Sequence, residues 1–158
     1  MTKQALLIVD VQPRFSPSPE LVENIKNLLP LMPSVATVQH HDEAKVPFLA
    51  QIDWRANSQD ACMFSADRVF IKYGYSSPPE ATHYLRELQV ERVLVCGLQT
   101  EACVLAAGFD LFDAGLFPTL IADLTTGGRN DPGGEVGIGL WKRHIGNVIE
   151  LHTIFQPA

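Results

Sequence analysis

The chain is poor in the features that would take it to a membrane, to nucleic acid or to an oxidising compartment. No apolar run approaches the roughly 20 residues needed to span a bilayer. Lys and Arg (12) are outnumbered by Asp and Glu (18). The resulting charge of −6 argues against a phosphate backbone or an anionic membrane as main partner. Cysteine is scarce as well: Cys62, Cys96 and Cys103 are odd in number and form no Cys-x-x-Cys pair. That argues against a disulfide framework and makes a reducing cytoplasm the expected location. Met1–Gln4 leads directly into a strand pattern, so no signal peptide is expected. Internal repeats, linkers and low-complexity tracts are absent too.

What remains is ordinary for a globular enzyme-sized unit. The 158 residues, 46% hydrophobic and 19% charged, suffice for one domain over residues 1–158, with a core that needs no staples. Ala5–Val9 is a continuous apolar run, short enough for a strand buried on both faces. Ser18-Pro19-Glu20 opens a helix whose face is Leu21, Ile25, Leu28 and Leu29. Pro30 and Pro33 break it, and Ser34 is read as the cap of a second helix running to about Ala44. Val46–Ile52 reads as the next strand, ending at Asp53-Trp54-Arg55, and Val69–Lys72 as a third. Ser77-Pro78-Pro79-Glu80 has capping-box spacing ahead of a helix bearing Ala81, Leu85 and Leu88.

Val93–Cys96 is a fourth strand, followed by a helix with Leu105, Phe109 and Phe112 as its buried stripe and Gly115 as its stop. Phe117–Ala122 is a fifth strand, and a helix carrying Val136, Leu140 and Trp141 follows a Gly-rich loop. Val148–Leu151 is the last strand. Strands alternating with helices predict a three-layer α/β/α fold around a Rossmann-like, mainly parallel six-stranded sheet.

In such sheets reactive groups lie beyond the carboxyl ends of the strands. Three polar residues sit there: Asp10, Lys72 and Cys103. Cys103 follows the run Val93–Gly97 in the first turn of a helix, where free N–H groups and the helix dipole lower a thiol's pKa. Each has a bland alternative, a turn-capping acid, a solvated lysine and a packing cysteine. Together they make sense as a proton acceptor, a charge stabiliser and a nucleophile for an acyl carbon. Cys96, inside an apolar strand, and Cys62, beside Met63 and Phe64, read as inert small hydrophobes.

Three separated motifs carry a resemblance. Leu6-Leu7-Ile8-Val9-Asp10-Val11-Gln12, Lys72-Tyr73 and Gly97-Leu98-Gln99-Thr100-Glu101-Ala102-Cys103-Val104 are similar, in order, to the signatures of the isochorismatase-like cysteine hydrolases. The resemblance spans nearly the whole chain. It implies Asp10 as general base, Lys72 as its electrostatic partner and Cys103 as nucleophile. It further implies a cis peptide between Leu98 and Gln99, with the amides of Gln99 and Cys103 as an oxyanion hole. Amide hydrolysis through a thioester, without a cofactor, and self-association into a homo-oligomer are what the family suggests.

One segment departs from the pattern. Nicotinamidases of that family hold a divalent metal through Asp-x-His and a second histidine near the second strand. The matching segment is read as Asp53-Trp54-Arg55, and residues 56–64 contain no histidine. Arginine cannot shed its proton to ligate, so no catalytic metal is expected and nicotinamide ranks low as a substrate. Arg55 has two open readings: a fork for a substrate carboxylate, or a partner of Asp53 or Asp60. Phe15, Trp54, Tyr73 and Tyr75 are candidate pocket walls for a small-molecule substrate. His40-His41-Asp42 reads as polar helix surface, because adjacent histidines point apart. His83, His144 and His152 are scattered, and the glycine pairs lack the lysine of a phosphate loop. Two other functions stay open: a non-catalytic binding or scaffolding protein, for which the short chain leaves little room for a lid, and vinyl-ether cleavage as on isochorismate.

Overall fold

The frame is six strands, β1 (Gln4–Val9), β2 (Ser34–Gln39), β3 (Arg68–Lys72), β4 (Arg92–Leu98), β5 (Pro118–Thr126) and β6 (Val148–Ile149). In this computed structural model, which describes residues 3–55 and 60–156, they form one sheet in the order β3-β2-β1-β4-β5-β6. Every pairing is parallel. The helices are α1 (Pro19–Leu28), α2 (Phe48–Ile52), α3 (Pro79–Glu87), α4 (Leu105–Asp113) and α5 (Glu135–His144). Among the described residues, no helix is long and apolar enough to cross a membrane.

The alternation of side chains along a strand divides β1 between two cores. Ala5, Leu7 and Val9 pack with Leu85 of α3, Leu111 of α4 and Trp141 of α5. Leu6 and Ile8 pack on the opposite face with Leu21, Val22, Ile25 and Leu28 of α1. Both faces are therefore covered, which is why β1 and β4 are apolar throughout. Strand order reverses between β1 and β4, opening a crevice at their carboxyl ends. Gly97 allows that junction: its φ is +122°, and a Cβ there would run into the Val9 carbonyl.

The fold class is the one expected, but several elements differ. Residues 34–39 form β2, not a helix. Val35, Thr37 and Val38 are β-branched, and all six residues are buried, so packing between β1 and β3 overrides the cap-like Pro33-Ser34. Val46–Ile52 is no strand: Phe48–Ile52 is the short helix α2, capped from a distance by Glu43, whose carboxylate accepts from the N–H groups of Leu49 and Ala50 (both 3.0 Å). Ser77 does not cap α3; its N–H donates to Asp110 Oδ2 (2.9 Å) and Pro78 holds the cap position.

The buried stripe of α4 is Leu105, Ala107, Gly108 and Leu111, while Phe109 and Phe112 are exposed. The reason is Trp141, whose ring lies against Gly108 where a Cβ would stand. Val136 and Leu140 of α5 are likewise exposed. β5 runs past Asp123 to Thr126, and the last strand is short, giving way to a 3-10 turn over Leu151–Phe155.

Candidate active site

The crevice between β1 and β4 receives one side chain from each expected position. Asp10 follows β1 with φ +51° and is fully buried. Lys72 ends β3, and its Nζ stands 2.9 Å from Asp10 Oδ2. Although β2 separates β3 from β1, the parallel register sets Lys72 beside Gln39, and a lysine stem is long enough to cross. Nζ also donates to Gln39 Oε1 (2.8 Å), Gly74 O (2.7 Å) and Tyr75 O (3.1 Å). Thr37 Oγ1 donates to Asp10 Oδ1 (2.8 Å). Oδ2 is charge-paired yet has no aligned hydrogen-bond donor, so a lone pair remains for another proton.

Cys103 sits on a π-turn over Thr100–Val104 that precedes α4. There the Val104 N–H reaches back to Gln99 O (3.1 Å), a wider turn of the sort common at functional sites. Thr100 Oγ1 and Thr125 Oγ1 lie 2.7 Å apart, and Thr125 donates to Gly97 O (2.9 Å). The extra length of β5 thus braces the turn that carries the thiol. The Leu98–Gln99 peptide is cis.

Electrostatics at the thiol are the reverse of what the sequence suggests. Burial and the neighbouring Asp10 carboxylate push Cys103 up to about 12, and the Lys72 ammonium only partly offsets them. The resting group is a thiol. Lys72 is raised above its ordinary value: burial alone would lower it, but the charge of the neighbouring Asp10 carboxylate outweighs that. Cys96 is raised further by burial alone, consistent with an inert strand residue; burial also raises Cys62.

Cys103 opens into a cavity of about 440 Å³, within the usual range for small-molecule sites. Phe15, Trp54 and Tyr75 line it, as does Gln99. Phe15 and Trp54 stack at 6.4 Å, and Phe48 meets Trp54 and Tyr75 edge-on at 5.0 and 5.3 Å. Arg55 and Tyr73 are placed elsewhere. They line a second hollow of about 520 Å³ with His40, His41, Asp42 and Glu43. Neither Asp53 nor Asp60 is ion-paired with Arg55. Asp60 Oδ2 instead accepts from the Arg14 N–H (2.7 Å). Part of the candidate metal segment, residues 56–59, lies outside the described residues.

His40 and His41 do not decorate a helix; they follow β2. His41 is nearly buried, with Nε2 3.1 Å from Glu43 Oε2. The segment beyond the second strand is therefore Gln39-His40-His41, not Asp53-Trp54-Arg55. Its donors are engaged, Gln39 Oε1 by Lys72 and its N–H by Gln12 Oε1 (2.7 Å). Among the described residues, no group of three or more His, Cys, Asp or Glu side chains is placed to hold a metal ion. The donor set does not fit a zinc or magnesium centre.

Four side chains at the site were missed from the sequence: Thr37, Gln39, Arg14 and Phe48. Reading 34–39 as a strand would have set Thr37 and Gln39 on one face at its carboxyl end. Arg14 had no comparable signal beyond its place in the turn after Asp10.

A family model described as the isochorismatase domain matches residues 4–151. An isochorismatase-like hydrolase structure from Alkaliphilus metalliredigens superposes with a TM-score of 0.80 at 14% identity, over 98% of each chain. N-carbamoylsarcosine amidase from Thermoplasma acidophilum gives 0.73 at 19%, over 95% of this chain and 97% of that one. Pyrazinamidase of Pyrococcus horikoshii in complex with zinc gives 0.76 at 22%, over 94% and 99%. These identities speak to fold alone. No curated protein sequence matched.

Proposed function

The chain belongs to the isochorismatase family, and from that premise we propose that it is a metal-independent cysteine hydrolase of a small-molecule amide or related C–N bond. The observation that carries this reading is the meeting of Asp10, Lys72 and the Cys103 thiol at the point where strand order reverses.

The chemistry follows from the charges. The resting thiol is a poor nucleophile, so its proton passes to Asp10 Oδ2 as sulfur attacks the carbonyl carbon. Lys72 stabilises the thiolate character that develops. The N–H groups of Gln99 and Cys103 receive the oxyanion. The tetrahedral species expels the amine, which takes the proton from Asp10 and leaves a thioester on Cys103. Water, giving a proton to Asp10, then attacks the thioester. The acid departs as the proton returns to sulfur. No step calls for a metal.

A panel of aromatic and aliphatic primary amides, followed by ammonia release and mass spectrometry of the quenched protein, tests the reading. An acyl adduct on Cys103, turnover lost in Cys103→Ala and unchanged by EDTA, is the expected result. Turnover that survives Cys103→Ala would overturn it. The same reading has small molecules as partners, and a homo-oligomer in the cytoplasm; sedimentation velocity checks the assembly.

A further inference from the structure

Among the described residues that line the Cys103 cavity, Arg14 is the single charged side chain. The rest of the lining is uncharged, with Phe15, Phe48, Trp54 and Leu98 as apolar walls and Ser16 and Gln99 among its polar members. Arg14 stands on a fixed turn: Phe15 N–H donates to Gln12 O and Ser16 N–H to Pro13 O (both 3.0 Å). Gln12 itself is pinned by Gln39 and by Asp60 O.

The guanidinium is held by the protein at one point. One Nη2–H donates to Arg55 O (2.8 Å). Asp60, the nearby acid, spends Oδ2 on the Arg14 backbone N–H. Among the described residues, no carboxylate lies within ion-pair distance of the fork. A guanidinium has five N–H donors in a plane matched to a carboxylate, and this one spends a single side-chain bond on the protein. Arg14 is exposed at the cavity mouth, so water serves the remaining donors until a substrate anion displaces it.

We propose that Arg14 makes the cavity select amides bearing an anionic group, a carboxylate above all, across an apolar body from the scissile bond. The role first given to Arg55 passes to a residue two positions past Gln12. The substrate class rests on the hydrolase reading, whereas the anion preference of the cavity is separable from it.

Two measurements on wild type, Arg14→Gln and Arg14→Lys keep the two apart. The first is the rate of Cys103 alkylation by iodoacetate relative to neutral iodoacetamide. The second is binding of benzoate and of benzamide, followed by the fluorescence of Trp54 against the constant, buried Trp141. In Arg14→Gln the iodoacetate-to-iodoacetamide ratio should fall about tenfold, the size of one charge interaction at partly screened range. Benzoate affinity should fall by a similar factor with benzamide unmoved, and Arg14→Lys should keep part of both. Equal benzoate affinity in wild type and Arg14→Gln overturns the anion preference, whatever the thiol does. If benzoate discriminates while the amide panel gives neither turnover nor an acyl adduct on Cys103, the preference stands and the hydrolase reading fails.

Discussion

The ammonium of Lys72 lies 2.9 Å from Oδ2 of Asp10, and neither side chain reaches solvent. Two opposite charges so enclosed are tolerable only together, because each alone would carry its full desolvation cost. Thr37 and Gln39 complete the arrangement, one donating to Asp10 and the other accepting from Lys72. Polar residues at the end of β2 therefore exist to hold a charged pair that belongs to its neighbours.

Lys72→Met is expected to destabilise the fold by about 3–5 kcal/mol, the usual cost of stranding one partner of a buried pair. Asp10→Asn/Lys72→Met should recover most of that loss, since no charge is then left alone. Denaturant melts of the two singles and the double provide the test. Additive losses would mean the charges are not coupled.

Stability should fall on the alkaline side. Both Lys72 and Cys103 hold their protons more tightly folded than unfolded, Cys103 to about 12. Their contribution is complete below the unfolded pKa values. As pH rises from about 9, the unfolded thiol ionises first, so the unfolded state binds fewer protons and is favoured. Each such group costs about 1.4 kcal/mol per pH unit inside its window. Urea midpoints between pH 8 and 11 should therefore decline, and decline less steeply in Cys103→Ala. Parallel slopes would count against the buried thiol.

Thiol reactivity separates equilibrium ionisation from base catalysis. Asp10 raises the Cys103 pKa and Lys72 lowers it. Alkylation at pH 9 should accordingly quicken several-fold in Asp10→Asn and slow in Lys72→Met. Under the proposed mechanism amide turnover should be lost in both, since Asp10→Asn has no base to take the proton and Lys72→Met no cation to hold the developing thiolate. Slower alkylation in Asp10→Asn would show that the carboxylate already activates the resting sulfur.

How much of this was written legibly in the sequence depends on what each residue answers to. β1 and β4 could be read because both of their faces are buried, and Asp10 and Cys103 because they follow those runs; Lys72 was legible only as the polar end of the short β3. β2 could not: its Ser34, Thr37 and Gln39 face polar partners inside the protein, so the run imitates an amphipathic helix behind a proline. α2 is too short to show a period, and its cap comes from Glu43, outside the helix. Phe109 and Phe112 were misassigned because Gly108, the smallest residue on α4, is the one that Trp141 covers. The Cys103 pKa misled for a similar reason. The helix-start argument is local, whereas burial and Asp10 come from the rest of the fold.

Two glycines on α5 offer a matched test of how the turn that carries Cys103 is held. A Cβ on Gly137 would stand 2.6 Å from the Glu101 nitrogen and from the Thr100 carbonyl carbon, backbone atoms that cannot swing aside. A Cβ on Gly139, one turn-half further along the same helix, meets nothing within 4 Å. Helix propensity favours alanine over glycine by about 1 kcal/mol at either site, so only the contact separates them. Gly139→Ala should leave the protein as stable as wild type or slightly more so, with unchanged alkylation of Cys103. Gly137→Ala should lose about 1–3 kcal/mol through overpacking, and because α5 presses on the turn that presents the sulfur, Cys103 alkylation and amide turnover should change with it. Thermal melts and alkylation rates of the two variants decide the matter. Should Gly137→Ala behave like Gly139→Ala in both, α5 does not brace the π-turn.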